Sequence, residues 1–422
     1  MQHPTALRWP ALLLASVLMP LAAHATNGYF THGYGAKSQG IAGVGIALPQ
    51  DGLAAATNPA GTALVGNRAD LGLSIFQPAR SADIAGNAFG PDASYSGDAT
   101  RTFFIPDFGY TTQLNATTSA GIAVYGNGGF NTDYTANPYS RFTATGSAGI
   151  SLEQLIITPS VAFKLSDSNT LGLAVNVAYQ QFAAKGISIF SLSSLYSTNV
   201  SDQGVDSSTG AGVRVGWIGK PTPQLTLGAT WASKIAGKFD KYKGLFADAG
   251  TFDIPENFGV GLAYEANPEW TFASDIQTIR YSQVSSVGNS AAKLFAGQPL
   301  GSANGPGFGW KDITVLKLGI SHKARSNLML RGGLSFATQP VPNEETFFNI
   351  LAPGVVQNHL TLGATWTTAG GGELTGFFAR AFGKTVGGSN SIPPGFPPGF
   401  GGGNANLHLD ENIIGVSYGW KF

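Results

Sequence analysis

The sequence contains no cysteine and few charged residues. Without cysteine, the chain offers no thiolate for catalysis or metal binding and no disulfide. Charged residues make up 11% of the 422 residues, against about 25% in typical soluble domains. The 24 basic and 24 acidic residues balance, so the chain lacks the basic surface on which nucleic-acid binding depends. These absences disfavour both a nucleic-acid partner and an ordinary soluble domain.

Long apolar runs are also absent after residue 25. The apolar run at 11–19 follows Arg8 and precedes Ala23-His24-Ala25, a pattern typical of a secretory signal peptide (residues 1–25) cleaved after Ala25. Further along, no run reaches the ~18 apolar residues that a membrane helix requires. Only helices and closed barrels satisfy every backbone group in lipid, so an exported, low-charge chain of this kind favours a membrane β-barrel.

Alternation of large apolar with small or polar residues supports the barrel. Ile414, Val416 and Tyr418 alternate with small or polar residues, and the pattern recurs at 360–366 and 225–231. Because residues i and i+2 share a face, one face suits lipid and the other suits a lumen. We therefore predict an all-β fold, a 14-stranded antiparallel transmembrane β-barrel, with strands near 69–77, 101–112, 119–126, 153–165, 170–182, 210–218, 224–233, 257–265, 270–282, 313–322, 328–338, 359–367, 373–383 and 412–422.

The connections between these predicted strands alternate between short turns and long loops. The seven long ones are 78–100, 127–152, 183–209, 234–256, 283–312, 339–358 and 384–411. Bacterial barrels have short periplasmic turns and long outer loops, so we place the C-terminus in the periplasm. All the tryptophans after residue 25 fall near predicted strand ends, which predicts two aromatic girdles. A soluble β-sandwich, the alternative, needs neither this placement nor so few charges.

The segment 26–67, here called the hatch segment, precedes the predicted barrel at 68–422. Its only charged residues are Lys37 and Asp51, yet its apolar composition differs from that of a disordered tail. A barrel of about fourteen strands leaves an open lumen, so we expect the segment to plug it. Small residues at 54–61 would allow close packing there, and Asn58 would hydrogen-bond backbone groups that face no water.

The predicted lumen and loops bear on what the protein handles. An ion-conducting pore is expected to carry rings of charge, whereas the inward cations are scattered along the sequence. They are Lys164, Arg214, Lys317 and Arg331. Two outer-loop stretches, 186–196 and 346–356, are apolar; they either pack on each other as a cap or form a landing surface for a hydrophobic ligand.

Motifs for catalysis are weak. The sequence has no G-x-S-x-G elbow and no H-E-x-x-H spacing, and we expect neither a metal nor a cofactor. An outer-membrane lipase, with a serine and a histidine partner near the barrel, is kept as a second hypothesis. Residues 391–403, rich in proline and glycine, are predicted to form a mobile loop without chemistry.

Five short motifs occur in order along the chain. They are Asn58-Pro59-Ala60, Ile254-Pro255-Glu256-Asn257-Phe258, Trp310-Lys311-Asp312, Leu330-Arg-Gly-Gly-Leu-Ser-Phe336 running into Gln339-Pro-Val-Pro342, and the terminal Phe422. Together they resemble the FadL/TodX-type family of outer-membrane channels for hydrophobic compounds, and the resemblance covers most of the chain after residue 25.

The resemblance implies a fourteen-stranded barrel closed by an N-terminal hatch. Outer loops would capture a ligand and pass it to a lumenal pocket beside the start of the hatch, where Tyr29 and Phe30 stand. The ligand would then leave passively and sideways into the membrane, through a gap made by an inward kink in the third strand. Asn58, Pro59 and Ala60 match the hatch signature of the family.

The third predicted strand ends in a glycine-rich stretch. Glycine within or ending a strand marks a bulge or bend, so Gly126, Gly128, Gly129 and Phe130 are our kink candidates. A simple glycine turn out of the strand is the alternative.

The sequence leaves the ligand open. Long-chain fatty acids require a cation for their carboxylate, and Lys317 and Arg331 are the candidates from their inward phase. Aromatic hydrocarbons require none. We expect passive uptake of long-chain fatty acids or related hydrophobic compounds across the outer membrane of a Gram-negative bacterium, with aromatic hydrocarbon uptake as the alternative. A general porin and a surface barrel such as an adhesin are further alternatives. The partners would be this hydrophobic small molecule and membrane lipid, and a barrel without unpaired edges is expected to be a monomer.

Overall fold

The computed structural model describes residues 27–394 and 399–422. The predicted signal peptide, residues 1–25, lies outside the described residues, as does the middle of the predicted loop 391–403. Within the described ranges, no helix is both long enough and apolar enough to cross a membrane.

Fourteen long antiparallel strands in the described part of the chain close into a barrel, because each pairs with its neighbours in sequence and the last pairs with the first. This confirms the predicted all-β, 14-stranded antiparallel barrel. A short extra strand, Ala93–Ser96, extends the sheet from the first outer loop. The barrel strands are β1 Arg68–Ala85, β2 Phe103–Gln113, β3 Thr118–Tyr134, β4 Ala148–Ser166, β5 Asn169–Lys185, β6 Asp206–Gly219, β7 Leu225–Ala232, β8 Asn257–Glu265, β9 Trp270–Ile279, β10 Ile313–Arg325, β11 Leu328–Ala337, β12 Asn358–Thr367, β13 Glu373–Val386 and β14 Asn404–Lys421.

The wall strands carry an apolar outer face and a small or polar inner face. In β5, Leu171, Leu173 and Val175 are exposed, whereas the intervening Gly172 and Ala174 are buried. An outward apolar band of this kind is what a membrane barrel presents to lipid.

Several strands extend beyond their predicted outer ends. β14 begins at Asn404 rather than at residue 412, and β1 continues to Ala85 rather than ending at 77. Crossing the membrane takes only ~9–11 residues, so these extensions stand above the lipid. Their outward residues, such as Asn406 and Asp410, are therefore polar, which makes the extensions look like loop sequence.

The hatch segment lies inside the barrel and contacts strands around the wall. It contains the helical turns Ala36–Gln39 and Ala54–Thr57 and the 3-10 turn Pro59–Ala63. Wall glycine permits a close backbone approach, since a Cβ added at Gly172 would lie 2.1 Å from the Ala60 nitrogen. No larger residue fits at that position unless the segment moves.

The outer loops carry short helices and 3-10 turns. The helices are Ala247–Gly250, Ser285–Gly288, Ala292–Phe295 and Thr346–Asn349, and the 3-10 turns are Ser140–Phe142, Ser188–Ser193, Ser197–Asn199, Asp240–Tyr242, Tyr281–Gln283 and Asn343–Glu345.

Candidate functional site

Asn58 fastens the hatch segment to the wall through its side-chain amide. Its Nδ2 donates to the carbonyl oxygens of Ile46 at 2.8 Å, Trp217 at 3.1 Å and Ala229 at 3.4 Å. Its Oδ1 accepts from the Ala60 N–H at 3.1 Å and so caps the following 3-10 turn. The residue is fully buried. An asparagine fits here because it supplies donors and an acceptor on one short side chain.

Tyr29, near the start of the hatch segment, stands in a buried aromatic cluster. Its ring centroid lies 5.7 Å from that of Phe130, 5.0 Å from Tyr281 and 5.8 Å from Trp310. Phe30 packs beside it, at 5.5 Å between ring centroids. Burial raises the pKa of the Tyr29 phenol well above its ordinary value, so the cluster stays neutral. It forms an apolar centre between the outer loops and the hatch segment.

The prediction that every tryptophan after residue 25 lies in an aromatic girdle is wrong for Trp310. This residue precedes β10 and is 1% exposed, so it lies in this interior cluster and not in a girdle at the membrane surface. Nearness to a strand end does not reveal whether a loop side chain turns inward.

A bulge interrupts β3 at the predicted glycines. Gly126 pairs with Leu155 and Gly128 pairs with Gln154, so Asn127 is an extra residue between them. Before the bulge Ala123 and Tyr125 face inward, and after it Phe130 and Thr132 do. One inserted residue has this effect because side chains alternate with period two.

The start of the hatch segment pairs with this bulge. The Gly129 N–H donates to the Tyr29 carbonyl at 2.8 Å, and the Thr31 N–H donates to the Asn127 carbonyl at 3.0 Å. Gly128 has φ of 150°, and an added Cβ there would lie 1.7 Å from the Tyr29 oxygen. Glycine is therefore required where the hatch backbone meets the strand.

A gap opens in the wall beside the bulge. The pairing of β2 with β3 runs from Gln113↔Ser119 to Phe108↔Val124 and goes no further in the described chain. Residues 103–107 then pair with β1, while β3 pairs at its bulge with the start of the hatch segment. We call the opening between 103–107 and 125–131 the lateral window. Pro106, on its β2 edge, has no N–H with which to extend the ladder.

Arg80, on β1, spans the upper end of the lateral window. Its Nε donates to Asp98 at 3.2 Å, and one terminal nitrogen donates to the backbone and side-chain oxygens of Asn131 at 2.6 and 2.8 Å. The other terminal nitrogen donates to the Thr100 carbonyl. Arg80 thus ties the first outer loop to β3. Sequence reasoning missed it because its partners are defined only by the closed sheet.

A ladder of buried amides lines the wall from the bulge onward. Asn127 donates to Gln154 at 2.9 Å, Gln154 donates to Gln180 at 2.8 Å, and Tyr34 donates to the Asn127 oxygen at 2.8 Å. The bulged residue is thereby held inward by both the wall and the hatch segment. Gln154 and Gln180 could have been identified from the sequence, because the strand alternation places both at inward-facing positions.

The outer loops enclose an apolar cavity of about 30 Å³. Phe190 and Phe348, from the two apolar stretches 186–196 and 346–356, contact each other at 5.1 Å between ring centroids. The stretches therefore pack together as a cap. Leu192 is nevertheless 92% exposed, so part of a landing surface remains. Phe308 lines the cavity and packs on Phe130 at 6.0 Å, which connects the cavity to the aromatic cluster.

The two candidate head-group cations both bind the hatch segment. Lys317 donates to the carbonyl oxygens of His32 at 3.0 Å and Gly43 at 3.3 Å. Arg331 donates to the Gln50 side chain at 2.7 Å. Their role toward a ligand stays a prediction.

The other two cations predicted to face the lumen differ in position. Arg214 faces inward and donates to the Thr57 carbonyl at 3.0 Å, whereas Lys164 is exposed at the end of β4.

A buried ionic cluster holds the hatch segment against β1, β13 and β14. Glu373 accepts from Lys37 at 2.5 Å, from Arg68 at 2.9 Å and from Lys421 at 2.5 Å. Lys37 is the one member of this cluster that belongs to the hatch segment, and it is 4% exposed. Burial lowers the pKa of its ammonium, and the neighbouring Arg68 lowers it further. Breaking such a cluster would leave buried charge without a partner.

In the described residues, no group of three or more His, Cys, Asp or Glu side chains is placed to hold a metal ion. His32 and His359 stack at 5.9 Å between ring centroids. Burial lowers the pKa of His32 to about 4, with the charge of Lys317 acting in the same direction.

A closed barrel with a filled lumen and a gap in its wall defines the class as an outer-membrane channel protein. The model of the outer membrane protein transport protein family (OMPP1/FadL/TodX) matches residues 20–391, and the chain belongs to this family. No curated protein matches the sequence.

Solved structures share the fold. A Pseudomonas aeruginosa FadL homologue is 16% identical with a TM-score of 0.72, covering 94% of this chain and 100% of that one. The Pseudomonas putida toluene transporter TodX is 17% identical with a TM-score of 0.67 and the same coverage of 94% and 100%. The Ralstonia pickettii toluene transporter TbuX is 16% identical with a TM-score of 0.64, covering 93% and 99%.

Proposed function

We propose that this outer-membrane transport protein takes up hydrophobic compounds passively and releases them sideways into the membrane through the lateral window. The observation that carries the proposal is the gap between β2 and β3 beside the bulge at Asn127. A hydrophobic ligand gains roughly 0.8 kcal/mol per CH₂ removed from water, so an apolar route into lipid suits it better than a wet pore.

The route would begin at the outer loops. The apolar cavity beneath them adjoins Phe308, which packs on Phe130, and Phe130 packs on Tyr29. Phe130 stands on the strand that borders the window. The cavity of about 30 Å³ holds little more than a water molecule, so loop side chains must move apart for a ligand to pass.

The hatch segment would keep the straight path through the lumen shut. Three contacts hold it at different strands around the barrel: Asn58 bonds to β6, Lys317 bonds from β10 and Glu373 bonds from β13. This disfavours a general porin, which would show large steady conductance in planar bilayers.

Long-chain fatty acids are the main ligand hypothesis, and aromatic hydrocarbons are the alternative. The apolar route suits both. The family is one of transport proteins, and ester hydrolysis by the purified protein is not expected. Residues 1–25 would direct export to the outer membrane of a Gram-negative bacterium, residues 26–67 would serve as the hatch and residues 68–422 as the barrel, and the protein would act as a monomer. Mass spectrometry of the purified protein should find Thr26 at its N-terminus.

Removing the bulge tests the proposal. Deletion of Asn127 restores the two-residue phase of β3, so its outer half can pair with β2 and close the window. Cells that depend on this protein should lose most uptake of both radiolabelled oleate and toluene, while the barrel still migrates as a folded species in unheated gels.

The matched control deletes Gly146, which lies in the loop after β3 with open space around it. Uptake should be unaffected by that deletion. Unchanged uptake in a folded Asn127 deletion would contradict lateral release.

A further inference from the structure

A second, smaller cavity adjoins the lateral window from the inside. Its volume is about 20 Å³, and its apolar lining includes Phe76, Phe130 and Leu409. Two charged side chains, Arg80 and Glu411, also line it. A ligand moving from the aromatic cluster to the window would pass this point, since Phe130 belongs to both.

Glu411 is the unusual member of this lining. It is 1% exposed, and neither carboxyl oxygen has a hydrogen-bond partner among the described residues. Leaving a buried polar group unpaired costs roughly 1–3 kcal/mol, and more for a charged one. The fold itself gains no hydrogen bond from this side chain. The adjacent Asp410, by contrast, pairs with Arg380 at 2.7 Å on the other face of the sheet.

Arg80 cannot turn fully toward Glu411, because its side chain is already hydrogen-bonded at the upper end of the lateral window. A guanidinium has five N–H donors, and Asp98, Asn131 and Thr100 occupy four of them. One N–H therefore has no acceptor in the described chain. The cavity thus combines an arginine with a spare donor and a carboxyl group without partners in an otherwise apolar lining.

We propose that Glu411 and Arg80 form a polar subsite that favours hydroxylated compounds, such as phenols and alcohols, over plain hydrocarbons at the lateral window. A hydroxyl both donates and accepts one hydrogen bond, so it can donate to Glu411 and accept from Arg80. A plain hydrocarbon leaves both groups unpaired. This inference rests on the proposed passage of ligands through the window and specifies their class.

Two probes with the same ring test the subsite: toluene, which carries no polar group, and p-cresol, which carries a hydroxyl. Initial uptake of each labelled probe is measured in cells that carry the wild-type protein, Glu411→Leu or Glu411→Gln. Asp410→Asn is the matched control, since it alters the neighbouring carboxylate on the opposite face. Heat-modifiable gel mobility verifies that each variant is folded.

The leucine variant should reduce uptake of p-cresol about tenfold relative to toluene, the equivalent of one lost hydrogen bond. Glu411→Gln should retain most p-cresol uptake, because an amide both donates and accepts. Asp410→Asn should keep the wild-type order of the probes. Should Glu411→Leu not fold, the glutamine variant decides, and a loss of p-cresol uptake relative to toluene in it would overturn the proposal.

Equal changes for toluene and p-cresol in folded Glu411→Leu would overturn the subsite while leaving lateral transport intact. Wild-type protein that admits neither of the probes would instead count against the proposed function. In that case binding of p-cresol to purified protein decides the subsite: binding about tenfold weaker in Glu411→Leu supports it, and equal binding rejects it.

Discussion

The substitution Asn58→Asp is nearly isosteric, and it predicts quantitatively how much the Asn58 side chain contributes to holding the hatch segment in place. The carboxylate keeps the acceptor for the Ala60 N–H but loses the donors to Ile46 at 2.8 Å and Trp217 at 3.1 Å. Each lost bond to a buried carbonyl costs roughly 1–3 kcal/mol. The total is about 4 kcal/mol, or on the order of 1,000-fold in the equilibrium for local opening of the hatch.

Hydrogen exchange of the protein in detergent measures this opening. Amides of the turns around Asn58, such as those of Gly61 and Leu64, should exchange up to about 1,000-fold faster in the variant, while wall-strand amides keep their protection. The control is Asn115→Asp in the exposed β2–β3 turn. There the asparagine uses its oxygen as the acceptor for the N–H groups of Thr117 and Thr118, so aspartate should be tolerated.

Exchange at the hatch that changes less than about threefold would refute the reasoning, because the donors of Asn58 would then contribute nothing to holding the segment. Faster exchange throughout the barrel would refute it differently, by showing that hatch and wall open as one unit.

Three further changes probe the other attachments of the hatch. Glu373→Gln leaves Lys37 without its buried partner, should cost about 3–5 kcal/mol, and should raise the open-channel conductance in planar bilayers; unchanged conductance would contradict a holding role. Gly128→Ala places a Cβ 1.7 Å from the Tyr29 oxygen and should expose the hatch N-terminus to protease without unfolding the barrel, whereas Gly146→Ala should not. His32, with a pKa lowered from 6.5 to about 4, favours the closed state while neutral. Its contribution is present above pH 6.5 and is lost as pH falls towards 4, so hatch opening should be about 2 kcal/mol easier at pH 5 than at pH 7, and His32→Gln should weaken this dependence.

The wall of the barrel could be predicted because its signal is local. Alternation along a strand identifies its two faces without knowledge of any partner, and all fourteen predicted strands are found in the described barrel. The outer extensions of β1 and β14 were missed because their outward face is polar above the lipid, so the apolar outward pattern used to find strands is absent there. Trp310 was misplaced because a loop side chain carries no periodic signal.

Only part of the lateral window could be predicted from the sequence. Glycines at 126–129 indicate a bend, but the gap depends on β2 ending its pairing with β3 at Phe108. The partners of Arg80 come from the first outer loop and β3, and Glu411 meets the same cavity from the last strand. Such contacts between residues far apart in sequence exist only once the barrel closes, so no local pattern predicts them.

A reversible staple across the lateral window would test the central claim most directly. The chain has no cysteine, so Pro106→Cys with Gly126→Cys places two thiols on opposite edges of the window. A bifunctional methanethiosulfonate can join them and dithiothreitol can release them. A staple between Leu334→Cys and Leu360→Cys, a directly paired position on β11 and β12, is the control. Lateral release predicts that uptake stops with the window stapled, returns on reduction and is unaffected by the control staple; uptake that continues through a fully stapled window would contradict it.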